Sequence, residues 1–320
     1  MEDAQVPPFS PRIVMQDLYR FFGHSPLSSQ LTNPFKKNAY PAYFSVFFPL
    51  LTSPQQVSLA ELLLELGQEK LTIRLLQKAI ETEGASAPAL LLLAKAHDGQ
   101  GDLARAISLA QSAELLEPKN TDALRFLAES YARQGRYNEE LEYLEKLKAL
   151  SPAYSAPEGG SSPFKEEAEV GLALLIAAAT AGAGREEEAL QLYFRLDFEM
   201  PEDAESRPLV YSAIADIALS LGKLDVAERY TEKELQARPS GVPEAQMRMG
   251  HIRLLGGDWK GSIGHYTEFI NTYVQQNGGD ANIALSKLNG QWTLLRKKGI
   301  GETDLQLIHD ILQASANGTL

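Results

Sequence analysis

The chain has 320 residues, of which 44% are hydrophobic, and it carries a formal net charge of −12. That charge argues against a nucleic-acid partner, because phosphate binding needs a concentrated basic surface. The absence of cysteine excludes disulfides, thiolate metal sites and a cysteine nucleophile. The start of the chain does not read as a secretory signal, and no apolar run reaches the roughly 18 residues of a membrane span, so we expect a cytoplasmic protein.

Residues 1–52 form an aromatic-rich N-terminal extension, in which residues 13–22 can make an amphipathic helix. Such an aromatic surface is a liability in water, so we expect the extension to pack on the rest of the chain, in its groove or as a cap. The alternative is a docking element for a partner or a membrane surface. Ten of the chain's 24 Phe and Tyr residues lie here: Phe9, Tyr19, Phe21, Phe22, Phe35, Tyr40, Tyr43, Phe44, Phe47 and Phe48.

Residues 53–276 show a repeated pattern of two helical stripes separated by a glycine. This predicts about six helix–turn–helix units, and the period is clearest in residues 87–120 and 121–154. Pro118 ends one unit, and Thr121 with Asp122 is expected to cap the helix that opens the next. The turn glycines are Gly67, Gly101, Gly135, Gly184, Gly222 and Gly257.

The unit that begins at Thr121 carries the pattern most fully, with Leu124, Leu127, Ala128, Tyr131, Gly135, Leu144 and Pro152 in order. With these residues the sequence resembles the tetratricopeptide repeat family over residues 53–276. The resemblance implies an all-α, right-handed superhelical solenoid of helix–turn–helix repeats. Two residues depart from the family pattern: Glu140, where alanine is usual, and Arg253, where tyrosine is usual. We expect each to reach solvent or to contact a neighbouring segment.

Two segments interrupt or follow the repeats. Residues 155–169 are rich in Pro, Gly and Ser and are expected to form a surface loop, or alternatively a hinge or a partner-binding loop. Residues 277–320 are expected to form a capping helical hairpin, with helices over 281–297 and 303–313, and a loose tail. In this hairpin we expect Trp292 and Leu295 to face Ile308 and Ile311.

In the family that the chain resembles, the first helix of each repeat lines a concave groove. The residues beside the packing stripe of those helices are mixed in character and suit a peptide or helix with apolar side chains and a few charges. A clamp for a C-terminal carboxylate is not expected, because the asparagines that it needs are missing and acidic residues would repel it. We call the following residues the groove positions: Leu91, Lys95, Arg125, Glu129, Leu174, Ala178, Ser212, Asp216, Leu219, Met247, His251 and Leu254.

No sequence motif for catalysis is present. We find no glycine-rich phosphate loop after a strand, no HExxH and no nucleophile elbow, and we therefore predict no enzyme activity, no cofactor and no metal. His251 and His265 on successive helices near Asp258 are the alternative, a metal site; scattered histidines are the simpler interpretation.

The sequence therefore predicts a protein-interaction scaffold or adaptor that binds a peptide or helix of another protein in the groove. The alternative is an assembly or targeting factor that docks to a membrane surface or client complex through its aromatic N-terminal segment. Self-association is left open, because the ends of a solenoid are exposed.

Overall fold

The computed structural model describes residues 51–150, 163–238, 242–277 and 280–316. In the second of these ranges, side chains are described from residue 170 onwards. All regular structure in these ranges is α-helical, which confirms the all-α fold class. None of the helices described is both long enough and apolar enough to cross a membrane. The N-terminal extension and its predicted amphipathic helix lie outside the described residues.

The chain divides into two compact units, residues 1–154 and 155–320. In unit 1, consecutive helices pack against each other, and Leu59, Leu63, Leu75 and Leu93 share one core. These helices are α1 (Ser53–Glu65), α2 (Glu69–Glu83), α3 (Ala87–Gly99), α4 (Leu103–Leu116), α5 (Thr121–Arg133) and α6 (Tyr137–Leu150).

Unit 2 continues the alternation of first and second helices and ends in three further helices, of 11, 5 and 15 residues. Its helices are α7 (Pro163–Gly182), α8 (Glu186–Glu199), α9 (Arg207–Ser220), α10 (Leu224–Ala237), α11 (Pro243–Leu255), α12 (Trp259–Asn277), α13 (Ala281–Gln291), α14 (Thr293–Lys297) and α15 (Glu302–Ala316).

All six predicted turn glycines lie between a first and a second helix with positive φ. At Gly101, φ is 82°, its amide donates to the Asp98 carbonyl at 2.8 Å, and the next amide, of Asp102, donates to the His97 carbonyl at 3.0 Å. The other five turns make the equivalent pair of bonds. These bonds satisfy carbonyls at the end of the first helix. A residue with a Cβ would be strained at the positive φ of the glycine. The regular spacing of the glycines therefore marks the same turn in each repeat.

The N-cap of α5, which opens the repeat that begins at Thr121, lies one residue before the predicted position. The Asn120 side chain, and not Thr121 or Asp122, accepts a hydrogen bond, from the amide of Ala123 at 3.0 Å. Thr121 is already the first helical residue. Asparagine is at least as good an N-cap as threonine, which explains the shift.

The loop predicted at 155–169 is wrong over its second half. Helix α7 begins at Pro163, so residues 163–169 are helical. Proline is favoured in the first turn of a helix, and the segment after it is rich in residues of high helix propensity. The remainder of the predicted loop, residues 155–162, lies outside the described residues.

The C-terminal hairpin also differs in detail. The helix predicted over 281–297 is interrupted at Trp292, which separates α13 from α14. As expected, one buried core contains Trp292, Leu295 and Ile308. The fourth residue predicted for this core, Ile311, is only half-buried, and Leu312 belongs to the core in its place. Leu305, Ile308 and Leu312 form the buried stripe of α15 at helical spacing.

Candidate functional site

The groove positions lie on the first helices α3, α5, α7, α9 and α11, and they differ widely in exposure. The exposed ones are Lys95, Arg125, Glu129, Ala178 and Asp216; the half-buried ones are Leu174, Ser212 and Met247; the buried ones are Leu91, Leu219, His251 and Leu254.

The four buried residues offer no surface to a partner, which corrects their assignment to the groove. Leu219 belongs to a core with Met249. Leu254 shares a core with Tyr266, and the His251 ring meets the Tyr266 ring edge-on at 5.6 Å. The apolar stripe of a first helix is wider than the sequence pattern suggests, because the helix packs against its own second helix and against the next repeat.

In unit 2, the half-buried and exposed polar positions are tied together by Arg248 of α11, which the sequence pattern did not single out. Its Nε donates to Asp216 Oδ1 at 2.6 Å, and its Nη2 donates to Ser212 Oγ at 2.8 Å. Its Nη1 donates to Glu234 Oε2 at 2.7 Å, from the second helix α10. One guanidinium of α11 therefore holds side chains of α9 and α10.

The Arg248 side chain is 5% exposed and that of Glu234 is 2% exposed, whereas that of Asp216 is 63% exposed. Burial would lower the pKa of Arg248, but the carboxylates of Asp216 and Glu234 outweigh it, and the pKa is raised. The sequence signal was weak: Arg248 stands between Met247 and Met249, but the same helix also carries Glu244, His251 and Arg253.

A second polar cluster in unit 2 is built around Asp197 of α8. Its carboxylate accepts from Tyr230 Oη at 2.8 Å, from Arg207 Nη2 at 3.1 Å and from Lys233 Nζ at 3.3 Å. Burial alone would raise the Asp197 pKa, but these donors together lower it. Burial, with the nearby Asp197 charge, raises the pKa of Tyr230 to about 12. The cluster ties α8 to α9 and α10.

We expect Asp197→Asn to lower the free energy of unfolding of unit 2 by about 2 kcal/mol at neutral pH, because the ionised acceptor is lost. A depressed carboxyl pKa stabilises the fold above the unfolded pKa, and that stabilisation is lost as the pH falls through the folded value. The difference between wild type and variant should therefore shrink as the pH falls below about 4, the unfolded pKa of an aspartate. Urea denaturation followed by tryptophan fluorescence measures it, since Trp259 and Trp292, both in unit 2, are the only tryptophans.

The matched control is Asp203→Asn, an exposed residue of the turn between α8 and α9. It should stay within about 0.5 kcal/mol of wild type. An Asp197→Asn loss that is independent of pH would contradict the role given to the carboxylate charge.

In unit 1, the exposed groove positions are Lys95, Arg125 and Glu129. Near them, Arg133 of α5 makes a two-pronged ion pair with Asp98 of α3, both N–O distances being 2.9 Å. This pair links the ends of two successive first helices. The unit therefore presents charges of both signs on its first helices.

The two residues that depart from the family pattern have different outcomes. Arg253 reaches Glu228 of α10 at 2.5 Å, so it contacts a neighbouring segment. Glu140 is 7% exposed and does not reach solvent, and its Oε2 has no hydrogen-bond partner in the described parts of the chain. Burial raises the pKa of Glu140.

We expect Glu140→Ala to stabilise unit 1 by about 1 kcal/mol at neutral pH, because an unsatisfied buried carboxylate costs more than an alanine. A raised carboxyl pKa means that the native state holds its proton more tightly, so the Glu140 penalty grows as the pH rises from the unfolded pKa through the folded one. Thermal melts followed by circular dichroism should show a larger gain at about pH 8 than at about pH 4. A destabilised variant at both pH values would show that the carboxylate is satisfied.

The alternative metal site at His251, His265 and Asp258 is not assembled. His251 Nδ1 lies 2.6 Å from the Met247 carbonyl, and His265 Nδ1 lies 2.9 Å from Gln246 Oε1. Asp258 accepts from the Gly261 amide at the start of α12. Over the described ranges, no group of three or more His, Asp or Glu could hold a metal ion.

The helices described here define an all-α protein of helix–turn–helix repeats. Residues 91–155 match the tetratricopeptide repeat family model. Residues 91–155 thus carry tetratricopeptide repeats, as the sequence resemblance predicted for this part of the chain. No curated protein sequence matches the chain significantly.

A search of solved structures finds several that are similar to this chain. MamA is 16% identical, with 58% of this chain and 98% of that one covered and a TM-score of 0.47. PilF of Pseudomonas aeruginosa is 15% identical, with 68% and 90% covered and a TM-score of 0.45. YrrB, described as a TPR protein with an unusual peptide-binding site, is 15% identical, with 70% and 98% covered and a TM-score of 0.44. At identities of 15–16% and TM-scores below 0.5, no property of these proteins is transferred to this chain.

Proposed function

We propose that this protein is an interaction scaffold that binds a peptide or helix of a partner protein at the exposed groove positions of its units. The observation that carries this proposal is the arrangement of Ser212 and Asp216, two accessible polar residues on one helix that a buried Arg248 holds in place. A surface that is fixed before binding loses little side-chain entropy when a partner arrives. The proposal also draws on what this fold commonly does, and a fold alone does not determine a function.

The exposed groove positions offer both kinds of contact that peptide recognition uses. Ala178 is small and exposed, and Leu174 is half-buried on the same helix. Lys95, Arg125 and Glu129 add charges in unit 1. Apolar contacts provide affinity, and the charges set orientation and partner choice.

Position-specific photo-crosslinking tests the proposal. A photoreactive amino acid is placed at Arg125 or Ala178 on first helices, and at the equally exposed Glu145 or Glu232 on second helices as controls. In extracts of cells that produce the protein, we expect a crosslinked partner at Arg125, at Ala178 or at both, and no partner at the controls. The purified partner should then bind with a measurable Kd. Equal crosslinking at all four positions, or none at the first helices, would contradict the proposal.

A second candidate function rests on the aromatic content of residues 1–52, which hold ten of the 24 Phe and Tyr. We propose as the alternative that this segment docks to a client complex or a membrane surface. Deleting residues 1–52 discriminates between docking and capping, because a cap contributes to stability and a docking element does not. A variant with unchanged melting temperature that has lost partner or vesicle binding supports docking; a large drop in melting temperature supports a cap.

A further inference from the structure

We propose that Asp216, with Ser212 beside it, is the anchor point for a basic side chain, lysine or arginine, of the partner segment. This rests on the proposed function, and it specifies the chemistry of the segment that unit 2 accepts.

The first argument is charge. Arg248 is shared by two carboxylates, Asp216 and Glu234, so the cluster keeps a formal charge of −1. Glu234 is 2% exposed and beyond the reach of a partner, whereas the Asp216 side chain is 63% exposed. In the described parts of the chain, Asp216 forms no ion pair besides the one with Arg248. The excess negative charge is therefore presented to solvent at Asp216.

The second argument is geometry. Arg248 Nε binds Asp216 at Oδ1, which leaves Oδ2 available to a second donor. Ser212 Oγ accepts from Arg248 Nη2, so its hydroxyl hydrogen is not used in that bond. The guanidinium is buried and makes three hydrogen bonds, so both groups are held in place before a partner binds.

The third argument is the surroundings. Leu209, one turn before Ser212 on α9, is 55% exposed, and Ala213 beside Ser212 is half-buried. A lysine or arginine has a long apolar stem and a charged end, and such side chains lay the stem on apolar surface while the end reaches a charge. An acidic side chain would meet repulsion here.

The test uses a random peptide library displayed on phage and selected on the full-length protein. We expect the binders to be enriched in lysine or arginine. Asp216→Asn, which keeps an acceptor for Arg248, should weaken the best basic peptide about fivefold, and Glu232→Gln, an exposed residue of α10, should leave it unchanged. Replacing the peptide's basic residue by norleucine should cost a similar factor on wild type and little on Asp216→Asn.

The outcomes separate this inference from the proposed function. Binders that reach the photoreactive residue at Ala178 but lack basic residues, or that ignore Asp216→Asn, would overturn the basic anchor alone. A library without binders at the groove positions would contradict the proposed function as well. The last outcome is that peptides bind only when the N-terminal basic residues Arg12, Arg20, Lys36 and Lys37 are replaced by glutamine. This would overturn the inference that the basic side chain comes from a partner, because the chain's own extension would occupy the site at Asp216.

Discussion

Replacing Arg248 by methionine is expected to lower the free energy of unfolding of unit 2 by about 3–5 kcal/mol. Methionine fills much of the same volume, so the loss comes from charge and not from a cavity. Without the guanidinium, Glu234 stays 2% exposed with no cation to compensate its charge. Asp216 suffers less, because water reaches it. Urea denaturation followed by tryptophan fluorescence measures the loss, since both tryptophans are in unit 2.

Two further variants show whether the buried charge is the cause. In Arg248→Met combined with Glu234→Leu, no buried charge remains, and most of the lost stability should return. Arg253→Met on the same helix removes a partly exposed pair with Glu228 and should cost less than about 1 kcal/mol. A double variant as unstable as Arg248→Met alone would contradict the explanation.

Gly250→Ala is expected to destabilise unit 2 by about 3 kcal/mol. A Cβ at Gly250 would lie 2.3 Å from Cε1 and 2.5 Å from Cδ1 of the Tyr266 ring. Tyr266 is fully buried, so its ring cannot move aside without displacing the core between α11 and α12. The same glycine-to-alanine change would otherwise favour a helix, so the close contact determines the sign of the effect.

Gly264→Ala is the matched control, because Gly264 lies in the interior of α12 and a Cβ there meets nothing within 4 Å. It should stabilise by about 0.5–1 kcal/mol. The cost of Gly250→Ala should also fall when Tyr266 is replaced by leucine, since the smaller side chain leaves room. Equal effects at the two glycines would show that the ring adapts freely.

The helices were predictable where sequence periodicity and turn chemistry agree. Gly101 and Gly135, with the apolar stripes around them, located four helices, because a positive-φ turn admits glycine and little else. The cap at Asn120 and the start of α7 were not predicted correctly. At both places neighbouring residues have similar capping or helix-forming ability, so the sequence pattern does not favour one boundary over the next. The break at Trp292 was not predictable from a helical pattern that continues through it.

The candidate site was less predictable than the helices. Arg248 lies 32 residues from Asp216 and 14 from Glu234 in the sequence. A pattern that repeats every three or four residues relates neighbours on one helix and does not predict such pairs between helices. The groove positions were chosen by their offset from the packing stripe. That choice found the exposed Asp216 and Ala178 but included Leu219 and Leu254, because the offset ignores packing from the following repeat.

The six inter-helix turns are closed by the same two backbone hydrogen bonds and one glycine each. None of these bonds depends on a side chain from another repeat. A whole repeat could therefore be duplicated or removed without redesigning any turn, provided that the new neighbours bury each other's apolar faces. Gene duplication can therefore change the number of repeats in a unit in steps of one, with no change to the chemistry of the turns.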